Sequence, residues 1–285
     1  MNIQKIIEKQ EEFMFFRHPG ALPDPKDSRD YKAEEILAGV EIVRPSFQEG
    51  YSVIKKVWPD MPYKNQLMTF SCVGQAFAMY KQILQKKDTN EETELSAFSL
   101  YNPVAIPGIG SYLRDNATRT VDYGVNKEST LFSPNNETEM TRLFDFTPYK
   151  DEAAFYKNRL VAKVETQDFN KLADMIFIND GIVSGWGNHA VYFDEYGTLD
   201  DKRFLKTRNS YGQGNDLYYF EGMEPLFSIW TAIDLKVIKQ HPKALYSNLK
   251  YGDKGTQVLK LKEALKLLWD DREINEGNIY NDNLA

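Results

Sequence analysis

Residues 65–77 read Asn65-Gln66-Leu67-Met68-Thr69-Phe70-Ser71-Cys72-Val73-Gly74-Gln75-Ala76-Phe77 and hold the single cysteine of a 285-residue chain. From Val73 the apolar residues Ala76, Phe77, Tyr80, Ile83 and Leu84 recur at the spacing of one helical face. Ser71 stands at the N-cap position, and Lys86 and Lys87 close the far end, where cations suit the helix dipole. The spacing therefore predicts a long amphipathic helix with Cys72 in its first turn. Unpaired backbone N–H groups and the positive end of the macrodipole there favour thiolate over thiol. A lone cysteine is more often a small buried hydrophobe, so other residues must decide between the two readings.

Three of them bear on the chemistry. Gln66, six residues before Cys72, carries an amide that could share a developing oxyanion with the Cys72 N–H. The chain has three histidines, and His189 opens a strand-like run in Gly187-Asn188-His189-Ala190-Val191. Asn209 ends another in Phe204-Leu205-Lys206-Thr207-Arg208-Asn209. Pairing of these runs as a hairpin, with its turn expected at Tyr196-Gly197, would bring imidazole and amide together and fix the imidazole tautomer. His18 and His241 each stand beside a proline and read as surface residues.

The surrounding chain narrows the classes. One thiol cannot form an intrachain disulfide or a multi-cysteine metal site. With 35 Lys and Arg against 42 Asp and Glu, the net charge of −7 supplies no basic field, so nucleic acid is not an expected partner. No apolar run approaches the length of a membrane span, and residues 1–9 lack a signal-peptide core, so neither a membrane nor classical secretion is expected. Ile3, Ile6 and Ile7, followed by Phe13, Phe15 and Phe16, suggest a short amphipathic helix that docks or lies loose. The Pro-rich and charged stretch 22–62 reads as an extended arm. Helices are expected at 95–100 and 112–123, the latter stopped by Gly124. Beyond about residue 155, strands are expected at 159–164, 189–193, 204–207, 217–220 and 228–233. Helices first and antiparallel strands second describe an α+β architecture of two lobes.

These residues, in this order, resemble a papain-like cysteine peptidase from about Leu22 to Ile233. Gln66 and Cys72 match the oxyanion glutamine and the nucleophile, and Asn188-His189-Ala190-Val191 resembles the strand of the catalytic histidine. Asn209-Ser210-Tyr211-Gly212 is similar to the family's Asn-Ser-Trp-Gly, with Tyr211 in place of the tryptophan that shields the Asn–His bond. Gly110-Ser111-Tyr112 resembles the segment whose backbone holds the substrate chain. The resemblance implies a two-lobed fold, with the nucleophile helix in a helical lobe and an antiparallel sheet or barrel in the other. It also implies peptide or protein substrates, catalysis by Cys72, His189, Asn209 and Gln66, and substrate contacts at Gly110, Ser111, Tyr112, Asn188, Ala190 and Tyr211. It implies neither metal nor cofactor.

Thr69 replaces the first cysteine of the family's nucleophile signature and Val73 its aromatic residue, so the family's disulfides are absent and a reducing, cytoplasmic or virion-associated setting is expected. The stretch 180–188 reads as shortened. Less chain precedes Leu22 than in the family's inhibitory propeptides; either control differs or residues 1–20 form a minor plug. Leu249-Lys250-Tyr251-Gly252-Asp253-Lys254-Gly255 resembles the opening of a peptidoglycan-binding repeat, which implies cell-wall peptide of bacterial or phage context as an alternative substrate; a second alternative is a papain-type fold that serves as a binding or structural component with little or no turnover. The expected organisation is an N-terminal helix and arm over 1–21, a peptidase-like domain over 22–235, and a linker with a final helical segment over 236–285.

Overall fold

The computed structural model describes residues 3–16 and 20–233. His18, His241, the final helical segment expected within 236–285 and the repeat-like motif at 249–255 lie outside the described residues. The chain begins with α1 (Ile3–Phe16), then β1 (Ala21–Leu22), α2 (Ala33–Ile36), β2 (Tyr51–Ser52) and α3 (Val53–Val57). The long helix α4 (Cys72–Thr89) follows, then α5 (Ala97–Tyr101), β3 (Ser111–Tyr112), α6 (Leu113–Asp122), α7 (Glu137–Met140) and α8 (Lys150–Phe155). The last part holds β4 (Val161–Val164), α9 (Phe169–Ile178), β5 (Ile182–Trp186), β6 (His189–Leu199), β7 (Lys202–Arg208), β8 (Tyr218–Phe220) and β9 (Phe227–Ala232).

Helix α4 begins at the residue its apolar stripe predicts, and that stripe is buried from Val73 to Ile83. Ser71 occupies the N-cap position, but its hydroxyl makes no cap bond. It lies 2.7 Å from the Thr69 hydroxyl and accepts from Gln75 Nε2 at 3.3 Å, so it joins a buried side-chain network instead. At the other end Asn90 takes the left-handed conformation and its N–H closes on the Lys86 carbonyl. Tyr80, on the buried face, donates its hydroxyl to the Asn179 carbonyl at 2.6 Å and accepts from the Ala232 N–H at 3.0 Å. The helix is thereby tied to the sheet behind it, and one continuous core runs through both. A second apolar cluster, Phe98, Tyr101, Leu131 and Met140, fills the helical side.

The main sheet has seven strands in the order β4-β9-β5-β6-β7-β8, with β2 added on β6, and every pairing is antiparallel. It stays open among the described residues, so the barrel alternative does not apply. The β6–β7 hairpin forms, but Gly197 lies inside the ladder opposite Phe204. The turn is made by Asp200 and Asp201, both with positive φ, as a tight hairpin matched to strand twist requires. Strand β5, in the stretch that reads as shortened, pairs with β6 through a turn at Gly187-Asn188. The free edge of β8 is covered by α1: Gln10 donates to the Tyr218 carbonyl and accepts from the Tyr218 N–H, so the first helix is docked rather than loose. The stretch 22–62 holds short elements only, but Ala33, Ile36, Phe47, Val53, Trp58 and Met61 from it lie in the main core, so it is part of the folded body rather than an arm laid over it.

Replacing Tyr80 by Phe removes one partner each from the Asn179 carbonyl and the Ala232 N–H. A loss of about 1–3 kcal/mol is expected, read from the urea midpoint; an unchanged midpoint would mean that this hydroxyl does not join helix to sheet.

Candidate active site

Cys72 is the first residue of α4 and is fully buried. Its sulfur faces backbone N–H groups of Ala190, Val73 and Cys72 itself, an arrangement that favours negative charge on sulfur. Ala190, whose N–H reaches the sulfur, directly follows His189 at the start of β6. His189 Nε2 lies 2.8 Å from Asn209 Oδ1. The Asn209 amide cannot be turned round, because its Nδ2 already donates to the Asn215 carbonyl at 2.8 Å and its Oδ1 also accepts from the Ser210 N–H at 2.8 Å. An acceptor facing Nε2 requires the proton on Nε2. That leaves Nδ1 as the basic nitrogen, and Nδ1 is buried without a hydrogen-bond partner. The Tyr211 ring stacks on the imidazole, with centroids 5.2 Å apart, and closes it off from solvent.

The amide of Gln66 is fixed in the same way. Ser210 Oγ donates to Gln66 Oε1 at 2.6 Å, and the Gln66 N–H donates to the Ser210 carbonyl at 2.8 Å. With the oxygen so held, Nε2 donates one proton to the Thr69 carbonyl at 2.9 Å and keeps a second. Three successive residues thus serve the site: Asn209 orients the imidazole, Ser210 orients the glutamine and Tyr211 covers the ring. Ser210 was not among the residues expected from sequence, although it stands in the Asn-Ser-Tyr-Gly motif; its role needs the approach of two loops distant in the chain.

The remaining expected residues line a cleft that is filled by the chain itself. The Gly20 and Ala21 N–H groups donate to the Asn188 carbonyl at 3.0 and 3.2 Å, and the Ser111 N–H donates to the Gly20 carbonyl at 2.9 Å. Strand β1 runs parallel to β3, with Ala21 opposite Ser111 and Leu22 opposite Tyr112. A β-carbon on Gly20 would lie 2.1 Å from the Phe70 carbonyl oxygen and 3.0 Å from Cys72 Sγ, so only glycine fits over the thiol. A β-carbon on Gly110, whose φ is +130°, would lie 2.1 Å from the Gly20 oxygen. Farther along, Asp24 accepts from the Arg114 N–H at 2.9 Å and the Trp230 indole at 2.7 Å, and its own N–H donates to Ser228 at 2.7 Å. Gly110, Ser111, Tyr112 and Asn188 therefore bound the cleft, whereas Ala190 contacts the thiol and Tyr211 the imidazole. Sequence reading missed the covering role of residues 20–24, because it depends on close backbone approach.

Covering the thiol sets its electrostatics. Burial pushes Cys72 up to about 12 against the opposing pull of the three N–H groups. Burial likewise pushes His189 down to about 4, against the Asn209 hydrogen bond. The covered pair is therefore neutral thiol and neutral imidazole. Among the described residues no group of three His, Cys, Asp or Glu side chains is placed to hold a metal ion.

Comparison with solved structures matches the chain to known folds. Xylellain, a cysteine protease from Xylella fastidiosa, superposes with a TM-score of 0.60 at 19% identity, over 76% of this chain and 96% of that one. A mite-allergen structure (Blo t 1 and Der p 1) gives 0.57 at 16% identity, over 79% and 82% of the two chains. Procathepsin B from Trypanosoma congolense gives 0.57 at 14% identity, over 76% and 85%. The fold is that of the papain-like cysteine proteases. Protein-family sequence models and curated protein sequences give no match. Within the papain-like fold, the start of α4, the start of β6 and the loop after β7 are the elements that converge here.

Neutrality of the covered pair fixes its pH behaviour. The covered pair holds one proton, on sulfur; uncovering relieves burial of both groups and lets that proton pass to His189 without uptake from solvent, so covering is expected not to depend on pH between about 5 and 7. Amide exchange at Gly20 and Ala21, corrected for intrinsic rates, is expected to stay constant over that range; exchange that quickens as pH falls would show an imidazole that titrates alone, near its ordinary value of 6.5, rather than against the thiol.

Proposed function

We propose that this chain is a cysteine endopeptidase whose cleft is covered by its own residues 20–24. The observation that carries the proposal is the fixed His189–Asn209 pair, which leaves a basic Nδ1 on the residue just before Ala190, whose N–H meets the only thiol of the chain. Once the segment is displaced, water returns, the burial penalty on both groups falls, and proton transfer from Cys72 to His189 yields the thiolate–imidazolium pair. The thiolate attacks the scissile carbonyl carbon. The oxyanion is held by the Cys72 N–H and the second Gln66 Nε2 proton, and His189 passes its Nδ1 proton to the leaving amine. Water, deprotonated by His189, then hydrolyses the thioester. No step calls on a metal.

Substrate class follows from what occupies the cleft. The Ser111 N–H and the Asn188 carbonyl bond an extended backbone in the covered state, and an extended peptide offers the same groups. Some of the similar structures are proforms, among them procathepsin B from Trypanosoma congolense and procathepsin L 3 of Tenebrio molitor. This agrees with a segment that is displaced before activity.

Gly20→Val places a side chain where a β-carbon already meets the Phe70 carbonyl and should lift the segment. The variant is expected to hydrolyse fluorogenic peptides at least about tenfold faster than the unaltered chain, and adding Cys72→Ala should abolish that turnover. Turnover that survives Cys72→Ala would end the peptidase reading.

A further inference from the structure

The loop that carries the oxyanion donors, residues 65–71, has no covalent tie, since Cys72 is the only cysteine. Ser210 holds its Gln66 end, and a side chain from a second distant segment holds its Phe70 end. Glu137, the first residue of α7, accepts the Phe70 N–H on Oε2 at 2.9 Å. Its Oε1 accepts the Tyr101 hydroxyl at 2.8 Å and the Gly108 N–H at 3.4 Å. The donors come from three places: the oxyanion loop, the end of α5 and the loop that leads to the cleft rim at Gly110. Tyr101 is fully buried, and burial followed by the Glu137 charge holds its phenol far above the ordinary range, so it remains a donor.

The Phe70 peptide lies between the two functional groups of the loop. Before it, Gln66 Nε2 donates to the Thr69 carbonyl; after it come Ser71 and Cys72, whose N–H is an oxyanion donor in the proposed mechanism. The Phe70 carbonyl oxygen is also the atom that a β-carbon on Gly20 would meet first. An N–H fixed at this residue sets the path of the backbone from the glutamine to the thiol. Glu137 itself is well supported, since Asn102 Nδ2 donates to the Met140 and Arg142 carbonyls, each at 2.9 Å, and Asn136 caps α7 by accepting the Glu139 N–H at 2.9 Å.

We propose that Glu137 is a positioning residue: its carboxylate clamps the Phe70 peptide to Tyr101 and to the Gly108 loop and thereby holds the Gln66 amide and the Cys72 N–H in register for the oxyanion. The kinetic consequence rests on the peptidase reading above, whereas the clamp does not. Glu137→Ala removes all three contacts. Glu137→Gln keeps an oxygen for the Phe70 N–H and an N–H₂ that can donate to the Tyr101 oxygen, so it retains most of the clamp without the charge.

Both substitutions are made in the unaltered chain for amide exchange and in the Gly20→Val chain for kinetics. Phe70 amide exchange is expected to rise about tenfold or more in Glu137→Ala and to change less than about threefold in Glu137→Gln. In the Gly20→Val background, kcat should fall about tenfold or more in Glu137→Ala with KM within about threefold, since small misplacement of reacting groups is costly. Glu137→Gln should restore kcat to within about threefold. Unchanged Phe70 exchange and kcat in Glu137→Ala overturn the proposal, as does a Glu137→Gln chain that loses as much as Glu137→Ala. If Gly20→Val itself turns over no peptide, the peptidase reading fails, and the clamp is decided by Phe70 exchange alone: faster exchange in Glu137→Ala supports it and equal exchange overturns it.

Discussion

The Asn209 amide faces His189 with its oxygen because its nitrogen is already bonded to the Asn215 carbonyl. That constraint puts the imidazole proton on Nε2 and leaves Nδ1 as a base, which is the form a thiol partner needs. The other parts of the site are arranged around it. Strand β6 starts at His189, β7 ends just before Asn209, and the β6–β7 ladder sets their separation. Helix α4 is held against that ladder by its buried face, so its first residue, Cys72, meets the Ala190 backbone.

Burial works against this chemistry as long as residues 20–24 lie in the cleft. Three N–H groups and a helix N-terminus favour thiolate, but desolvation outweighs them and leaves the thiol neutral. In the proposed mechanism, the residues that favour thiolate and the segment that covers Cys72 are thus coupled through water. Fastening of the segment at Asp24, which joins Ser228, Trp230 and Arg114, makes the cover part of the folded body rather than a loose end. Val73, which stands where the related signature has an aromatic residue, is itself buried; access is governed by Gly20.

Much of this was legible in the sequence where local spacing carries the signal. The α4 stripe is periodic over three turns, so the helix and the position of Cys72 at its start could be read directly. The His189 and Asn209 strands were readable as alternating runs, but their turn was not: two aspartates in left-handed conformation outcompete the glycine at 197, which is taken up by the ladder. Strand β5 escaped notice because Gly185 interrupts its pattern, and that glycine is needed where the Phe227 ring packs on the strand. Gly20, Ser210 and Glu137 act through contacts with residues roughly 50 to 140 positions away in the chain. No local pattern encodes such contacts.

The most direct measurement is the rate of Cys72 alkylation by iodoacetamide across pH 4–9 in the Gly20→Val chain, where the thiol is uncovered. A thiolate–imidazolium pair gives a rate that reaches its plateau below neutrality. A rate that climbs with a midpoint near about 8.5, that of an ordinary free thiol, would contradict activation of Cys72 by His189.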